Sequence, residues 1–88
     1  MNSNSGEEIR EFVERLVHAI VDHPDLVKIS VLESGSMVVV ELSADQNDIG
    51  KVIGREGRMA QSLRVLLTAL ATKLGKKAVL QILEKGKS

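Results

Sequence analysis

The residues of this chain best suited to chemistry are Gly54-Arg55-Glu56-Gly57, inside the run Ile49-Gly50-Lys51-Val52-Ile53-Gly54-Arg55-Glu56-Gly57-Arg58. Two glycines at this spacing let the backbone turn sharply and leave its amides uncovered by a Cβ. Where such a turn opens into a helix, the first free N–H groups of that helix are a natural seat for a phosphate. Lys51, Arg55 and Arg58 add positive charge around it. The chemistry implied is anion binding by peptide nitrogens. A Gly-x-x-Gly pair is common by chance, and its weight here comes from its flanks. A short apolar-periodic segment precedes it and a long one follows.

Catalytic readings fit poorly. A nucleotide-binding P-loop needs Gly-x-x-x-x-Gly-Lys-Ser/Thr after a strand, whereas Gly57 is followed by Arg58-Met59 and the segment before the loop reads as helical. The chain has no cysteine, which removes disulfides, thiolate metal sites and a thiol nucleophile. His18 and His23 have no carboxylate or cysteine at ligand spacing, so they read as a solvated helix residue and a turn residue. No nucleophile–base pair suggests itself. A binding module without metal or cofactor is expected, not an enzyme.

The elements that must position the loop follow from periodicity. After a tail over residues 1–6, Ser5-Gly6-Glu7-Glu8 has the form of a capping box and starts a helix. Ile9, Phe12, Val13, Leu16, Val17 and Ile20 recur at helical spacing, and Asp22-His23-Pro24 stops the run. Val27, Ile29 and Val31 alternate with Lys28, Ser30 and Leu32 as in a half-buried edge strand, and Ser34-Gly35 reads as a hairpin turn. Met37-Val38-Val39-Val40 is apolar throughout, as in a central strand covered at least in part on both faces. A short helix over 46–53 carries Ile49, Val52 and Ile53. A second runs from Arg58 to Leu74, closed by Gly75, with Met59, Leu63, Leu66, Leu67, Leu70 and Leu74 facing the core. Ala78 to Leu83 is the last strand, and 85–88 a second tail.

The order α-β-β-α-α-β predicts an α+β domain over residues 7–84. The hairpin makes strands one and two antiparallel, and a right-handed helical crossover lays strands two and three parallel. Strand two is then central in a three-stranded mixed sheet, with three helices packed on one face.

Bulk properties agree with one small domain. The chain has 88 residues, 43% apolar and 27% charged, ordinary for a soluble globular protein. Its first residues lack the basic and apolar regions of a secretory signal, so the cytoplasm is the expected compartment. The formal charge of zero hides an asymmetry: residues 1–50 hold ten acids against three bases, and residues 51–88 nine bases against two acids. The basic half can steer a polyanion to one face; alternatively, the two halves attract each other within the fold.

Val52-Ile53-Gly54-Arg55-Glu56-Gly57, set between two helices in this element order, resembles the signature of a type II KH domain. Asp22-His23-Pro24, Gly50-Lys51-Val52-Ile53-Gly54 and Gly57-Arg58-Met59-Ala60-Gln61-Ser62-Leu63-Arg64 are similar to the small stand-alone KH proteins of bacteria (KhpA-like), and the resemblance covers about Glu8 to Leu83. It implies a cytoplasmic RNA-binding protein acting as a homodimer or paired with a larger Jag-type KH protein. It further implies a clamp on about four nucleotides of a single strand. Gly54 and Gly57 would keep the loop open, with Arg55 and Glu56 as its two variable residues. Ile49 and Ile53 would flank the groove, and Ala60 and Leu63 would support the second helix. Glu56 departs from the commoner uncharged or basic residue. A carboxylate there weakens a phosphate track unless it points away or pairs with Arg58.

Phe12 is the one aromatic residue and lies on the inner stripe of the first helix, so no stacking platform is available. Bases would instead meet an apolar groove between the short helix and the central strand, and DNA is not distinguished from RNA. A rival reading is a protein-interaction module with little RNA binding of its own. Gln61, Val65, Thr68, Ala69 and Thr72 leave the outer face of the long helix small and uncharged. Two such helices could pack closely in a dimer; the alternative is an ordinary helix surface.

Overall fold

The computed structural model describes residues 5–83; residues 1–4 and 84–88, with the tail expectations that fall on them, lie outside the described residues. Its elements are α1 (Ser5–His18), β1 (Lys28–Ser34), β2 (Met37–Ser43), α2 (Gln46–Ile53), α3 (Arg58–Lys73) and β3 (Lys77–Leu83). Single 3-10 turns lie at Pro24–Leu26 and Arg55–Gly57. The sheet order is β1-β2-β3, with β1 antiparallel and β3 parallel to β2, so β2 is central as expected.

Helix α1 buries Gly6, Ile9, Val13 and Val17, one stripe at helical spacing. On its outer side Arg10 bridges Glu7 and Glu14, three and four residues away. Ser5 and Gly6 belong to the helix, which therefore begins inside the segment expected to be tail. The helix also stops at His18, before the Asp22-His23-Pro24 segment. The chain leaves through a tight turn in which Ile20 and Val21 both donate to the Val17 carbonyl.

The core lies between the sheet and the three helices. Val38, Val40 and Leu42 of β2, Ile9 and Val17 of α1, and Val52 of α2 have no exposure, and Leu67 of α3 is almost fully enclosed. The opposite face of the sheet is open: Leu32 is 60% and Val79 43% exposed. The all-apolar β2 is thus fully covered on one face only. Its outward Val39 is half-buried because it is flanked by Leu32 and Val79 in register on the neighbouring strands.

Two turns differ in detail from expectation. The hairpin turn is Gly35-Ser36, one residue later than Ser34-Gly35, with Gly35 at φ +60° in the first central position. In α3 the buried set is Ala60, Leu63, Leu67 and Ala71, while Leu66 is 43% exposed. The alanines let the helix approach the sheet closely, and that rotation carries Leu66 out of the core. The end of α3 matches its glycine signal. Gly75, at φ +75°, donates to Thr72 and Lys76 donates to Ala71, the paired bonds of a Schellman cap.

Candidate nucleic-acid interface

The glycine turn is built by its two neighbouring helices. Gly54 ends α2 by donating to the Gly50 carbonyl at 2.8 Å and takes φ 81°, ψ 170°, a region open essentially to glycine alone. The chain then makes one 3-10 turn, closed by Gly57 N–H on the Gly54 carbonyl at 3.1 Å. Glu56 is the only non-glycine residue with positive φ among those described, at φ 57°, ψ 27°, and Gly57 follows at φ 73°, ψ 13°. Two successive left-handed residues thus lead into α3.

Gly57 is the N-cap of α3 and makes no side-chain cap bond, having no side chain. A Cβ placed on it would meet nothing within 4 Å. The start of α3 thus lacks the Ser, Asp or Asn oxygen that usually satisfies first-turn amides, although Arg58 N–H already donates to the Arg55 carbonyl. By contrast, α2 is capped internally, the Asp45 carboxylate accepting from Asn47 N–H at 3.2 Å. A helix end of this kind can hold an anion.

The structure separates the cations expected to serve that seat. Arg55 is exposed and has no ion-pair partner among the described residues. Arg58 and Glu56 pair at 3.4 Å, both strongly exposed, so the carboxylate is held by its own neighbour. Lys51 is paired: its Nζ lies 3.0 Å from Asp22 and 3.9 Å from Asp48, and the Asp22 bond raises its pKa above the usual lysine range. Lys51–Asp22 and Lys76–Glu33, the latter at 3.2 Å, join the acidic and basic halves of the chain. Part of the charge asymmetry is therefore internal attraction, and part is left facing solvent.

Ile49 and Ile53 lie one turn apart on α2, both half-buried, beside the fully enclosed Asp48 and Val52. At the other end of α2, about 12 Å from the loop for a helix of this length, a cavity of about 300 Å³ opens. Leu26, Lys28, Ala44, Asp45 and Gln46 line it. The opening thus lies between the start of α2, the start of edge strand β1 and Ala44, which directly follows central strand β2. Leu26, Lys28 and Gln46 were not singled out from sequence. The cue was present in Leu26, an apolar residue beside Pro24 and ahead of the periodic strand.

Asp48 was also missed. Its carboxylate has no exposure, yet it accepts hydrogen bonds from Asp22 N–H at 3.2 Å and His23 N–H at 2.9 Å, and it contacts His23 Nδ1 at 3.2 Å. Burial raises its pKa; the Asp22 and His23 N–H bonds, followed by the His23 ring, outweigh that, and the net shift is downward. His23 therefore does have carboxylate neighbours in space: ligand atoms of His23, Asp45 and Asp48 lie within 4.8 Å of one another. Those atoms are already engaged. Asp48 accepts from the two backbone amides, Asp45 caps α2, and Lys51 supplies the positive charge a cation would bring. The cluster acts as a structural junction.

The outer face of α3 is exposed at Gln61, Val65, Thr68, Ala69 and Thr72, as expected, and Leu66 joins it. A shallow cavity of about 220 Å³ lies there, lined by Gln61, Arg64, Val65 and Thr68. Among the described residues, no helix is long and apolar enough to cross a membrane.

Known proteins resemble this chain over most of its length. The family model described as KhpA/KhpB, KH domain, matches residues 10–82. The chain is 43% identical over 76 residues to the RNA-binding protein KhpA of Aquifex aeolicus (strain VF5), spanning 86% of this chain and 96% of that protein. It is likewise 43% identical over 79 residues to the RNA-binding protein KhpA of Borreliella burgdorferi, covering 90% of this chain and 95% of the relative. Identity to the RNA-binding protein KhpA of Halalkalibacterium halodurans is 41% over 76 residues, 86% of this chain and the whole of that protein.

Proposed function

The chain belongs to the KhpA/KhpB family of KH domains, and from that premise we propose that it binds single-stranded RNA through the Gly54–Gly57 loop. The observation that carries this reading is the N-terminus of α3, which starts at a glycine without a side-chain cap and with open space above it. A backbone phosphate fits at this end, with Arg55, unpaired among the described residues, as its cation and Arg58 beside it. From there the strand runs along α2 past Ile53 and Ile49, and bases reach the cavity at Leu26, Lys28 and Gln46. Without aromatic platforms the contacts are apolar and hydrogen-bonding, so one module binds weakly and with little sequence preference. The relatives' names are those of RNA-binding proteins, which supports a binding role over an enzymatic one.

The test is the paired change Arg55→Asp with Glu56→Asp. It places two carboxylates on the phosphate seat while leaving the core alone, and aspartate tolerates the left-handed position at residue 56. RNA crosslinking should be abolished with little change in melting temperature. RNA recovery at the wild-type level would move the binding site off the loop. Wild-type affinity should fall with salt at a log–log slope of about −1.5 to −2, as for two or three phosphate contacts on a single strand.

A second reading concerns assembly. The exposed Gln61, Val65, Thr68, Ala69 and Thr72, extended by Leu66, favour packing of α3 against the same helix of a second copy or of a larger Jag-type KH protein. Two linked modules would raise the weak affinity of one. A dimeric post-transcriptional regulator or RNA chaperone in the cytoplasm is the role that fits both features.

A further inference from the structure

We propose that Asp48 is a positioning residue for RNA binding: it sets the distance between the two walls of the cavity at the N-terminal end of α2, and so governs contact with bases and not with phosphates. This rests on the reading above that bases enter that cavity.

Both walls lead back to Asp48 through hydrogen bonds. On one side, Asp48 Oδ2 accepts His23 N–H at 2.9 Å, and the His23 carbonyl accepts Leu26 N–H at 3.0 Å. Leu26, 46% exposed, is the apolar wall, and it hangs on the 3-10 turn that Asp48 fastens at its base. On the other side, Asp48 N–H donates to the Asp45 carbonyl at 2.8 Å within the first turn of α2, where Asp45 and Gln46 form the opposing wall. One buried carboxylate therefore belongs to the helix and grips the incoming loop at once. Asp22 N–H on Oδ1 and the His23 ring on Oδ2 complete its partners. The phosphate seat at Gly57 lies at the far end of α2 and shares none of these bonds.

The experiment compares a short mixed-sequence oligoribonucleotide with an abasic oligonucleotide on the same backbone. In Asp48→Asn, an amide NH2 replaces one carboxylate oxygen, so one of the two backbone N–H donors loses its acceptor, and the loop loosens. Affinity for the base-bearing strand should fall about tenfold, while the abasic strand changes less than about twofold and the salt slope stays as in wild type. His23→Ala keeps both backbone donors and removes only the ring, so it should shift the same ratio by about two- to threefold. Should Asp48→Asn fail to fold, His23→Ala decides alone, and an unchanged ratio overturns the proposal. A folded Asp48→Asn with unchanged base-bearing affinity, or with equal losses on both strands, also overturns it. Failure of the underlying reading is seen separately: wild-type protein would then bind the two strands equally.

Discussion

A Cβ placed on Gly54 would sit 2.6 Å from the Cβ of Met59 and 2.7 Å from the Met59 backbone nitrogen. The glycine turn is therefore folded back onto the first turn of α3, and the two glycines have different duties. Gly54 is fixed by contact and conformation together. Gly57 is fixed by conformation only, and the space over it is open.

Gly54→Ala should accordingly be a folding mutation as well as a binding one. The φ 81°, ψ 170° backbone and the Met59 contact together should cost about 2–4 kcal/mol. Urea denaturation gives the value. A loss below about 0.5 kcal/mol would mean the turn relaxes freely.

Glu56 holds a left-handed conformation that a Cβ disfavours by roughly 1–2 kcal/mol, an effect partly offset by the chain entropy a glycine adds to the unfolded state. Glu56→Gly should raise stability by about 0.5 kcal/mol. It also removes the carboxylate that pairs with Arg58 at 3.4 Å, so RNA affinity should rise by about threefold, roughly one exposed ion pair. Lower affinity in anisotropy titrations would assign Glu56 a direct role in RNA contact.

The Asp48 carboxyl titrates below its ordinary value of 3.8 in the folded state, because the bonds from Asp22 and His23 favour its charged form despite burial. The unfolded chain thus takes up that proton first as pH falls. Stability from this group is complete above the unfolded value and is lost as pH drops through the lower folded one. Asp48→Asn has no such proton, so the stability gap between wild type and variant should narrow between neutral pH and about pH 2. A gap independent of pH, by urea denaturation, would show that the carboxylate's charge contributes nothing.

Val65 is 58% exposed on α3. Val65→Glu should leave helix content and stability within about 0.5 kcal/mol of wild type while shifting sedimentation from dimer to monomer. Thr68→Arg should do the same by bulk and charge. A wild-type protein that sediments as a monomer at high concentration removes the self-association reading.

The fold was legible wherever neighbours in sequence decide the outcome. Ile9, Val13 and Val17 mark the buried stripe of α1, Val38, Val40 and Leu42 the inner face of β2, and Gly75 the stop of α3, each through a local period or cap. The glycine turn was legible for the same reason, since its backbone demands are local. What escaped is decided by docking. Asp48 looks like an ordinary acid in the first turn of a helix, and only the loop 26 residues earlier makes it a buried acceptor. Lys51 looks unpaired in the sequence, and only the fold brings it to Asp22, 29 residues away. Leu66 fits the apolar stripe as written, but Ala60 and Ala71 set the rotation of α3 and leave it outside.

The parallel pairing of β2 with β3 carries a consequence for biogenesis. Val40 lies beside Leu80, so the α2–α3 excursion is anchored at its far end only when the last strand joins the sheet. A nascent polypeptide that has not yet released Lys77 to Leu83 from the ribosome holds the glycine pair on an undocked helical hairpin. The final seating of the glycine turn therefore arrives late in synthesis, with the completion of the sheet.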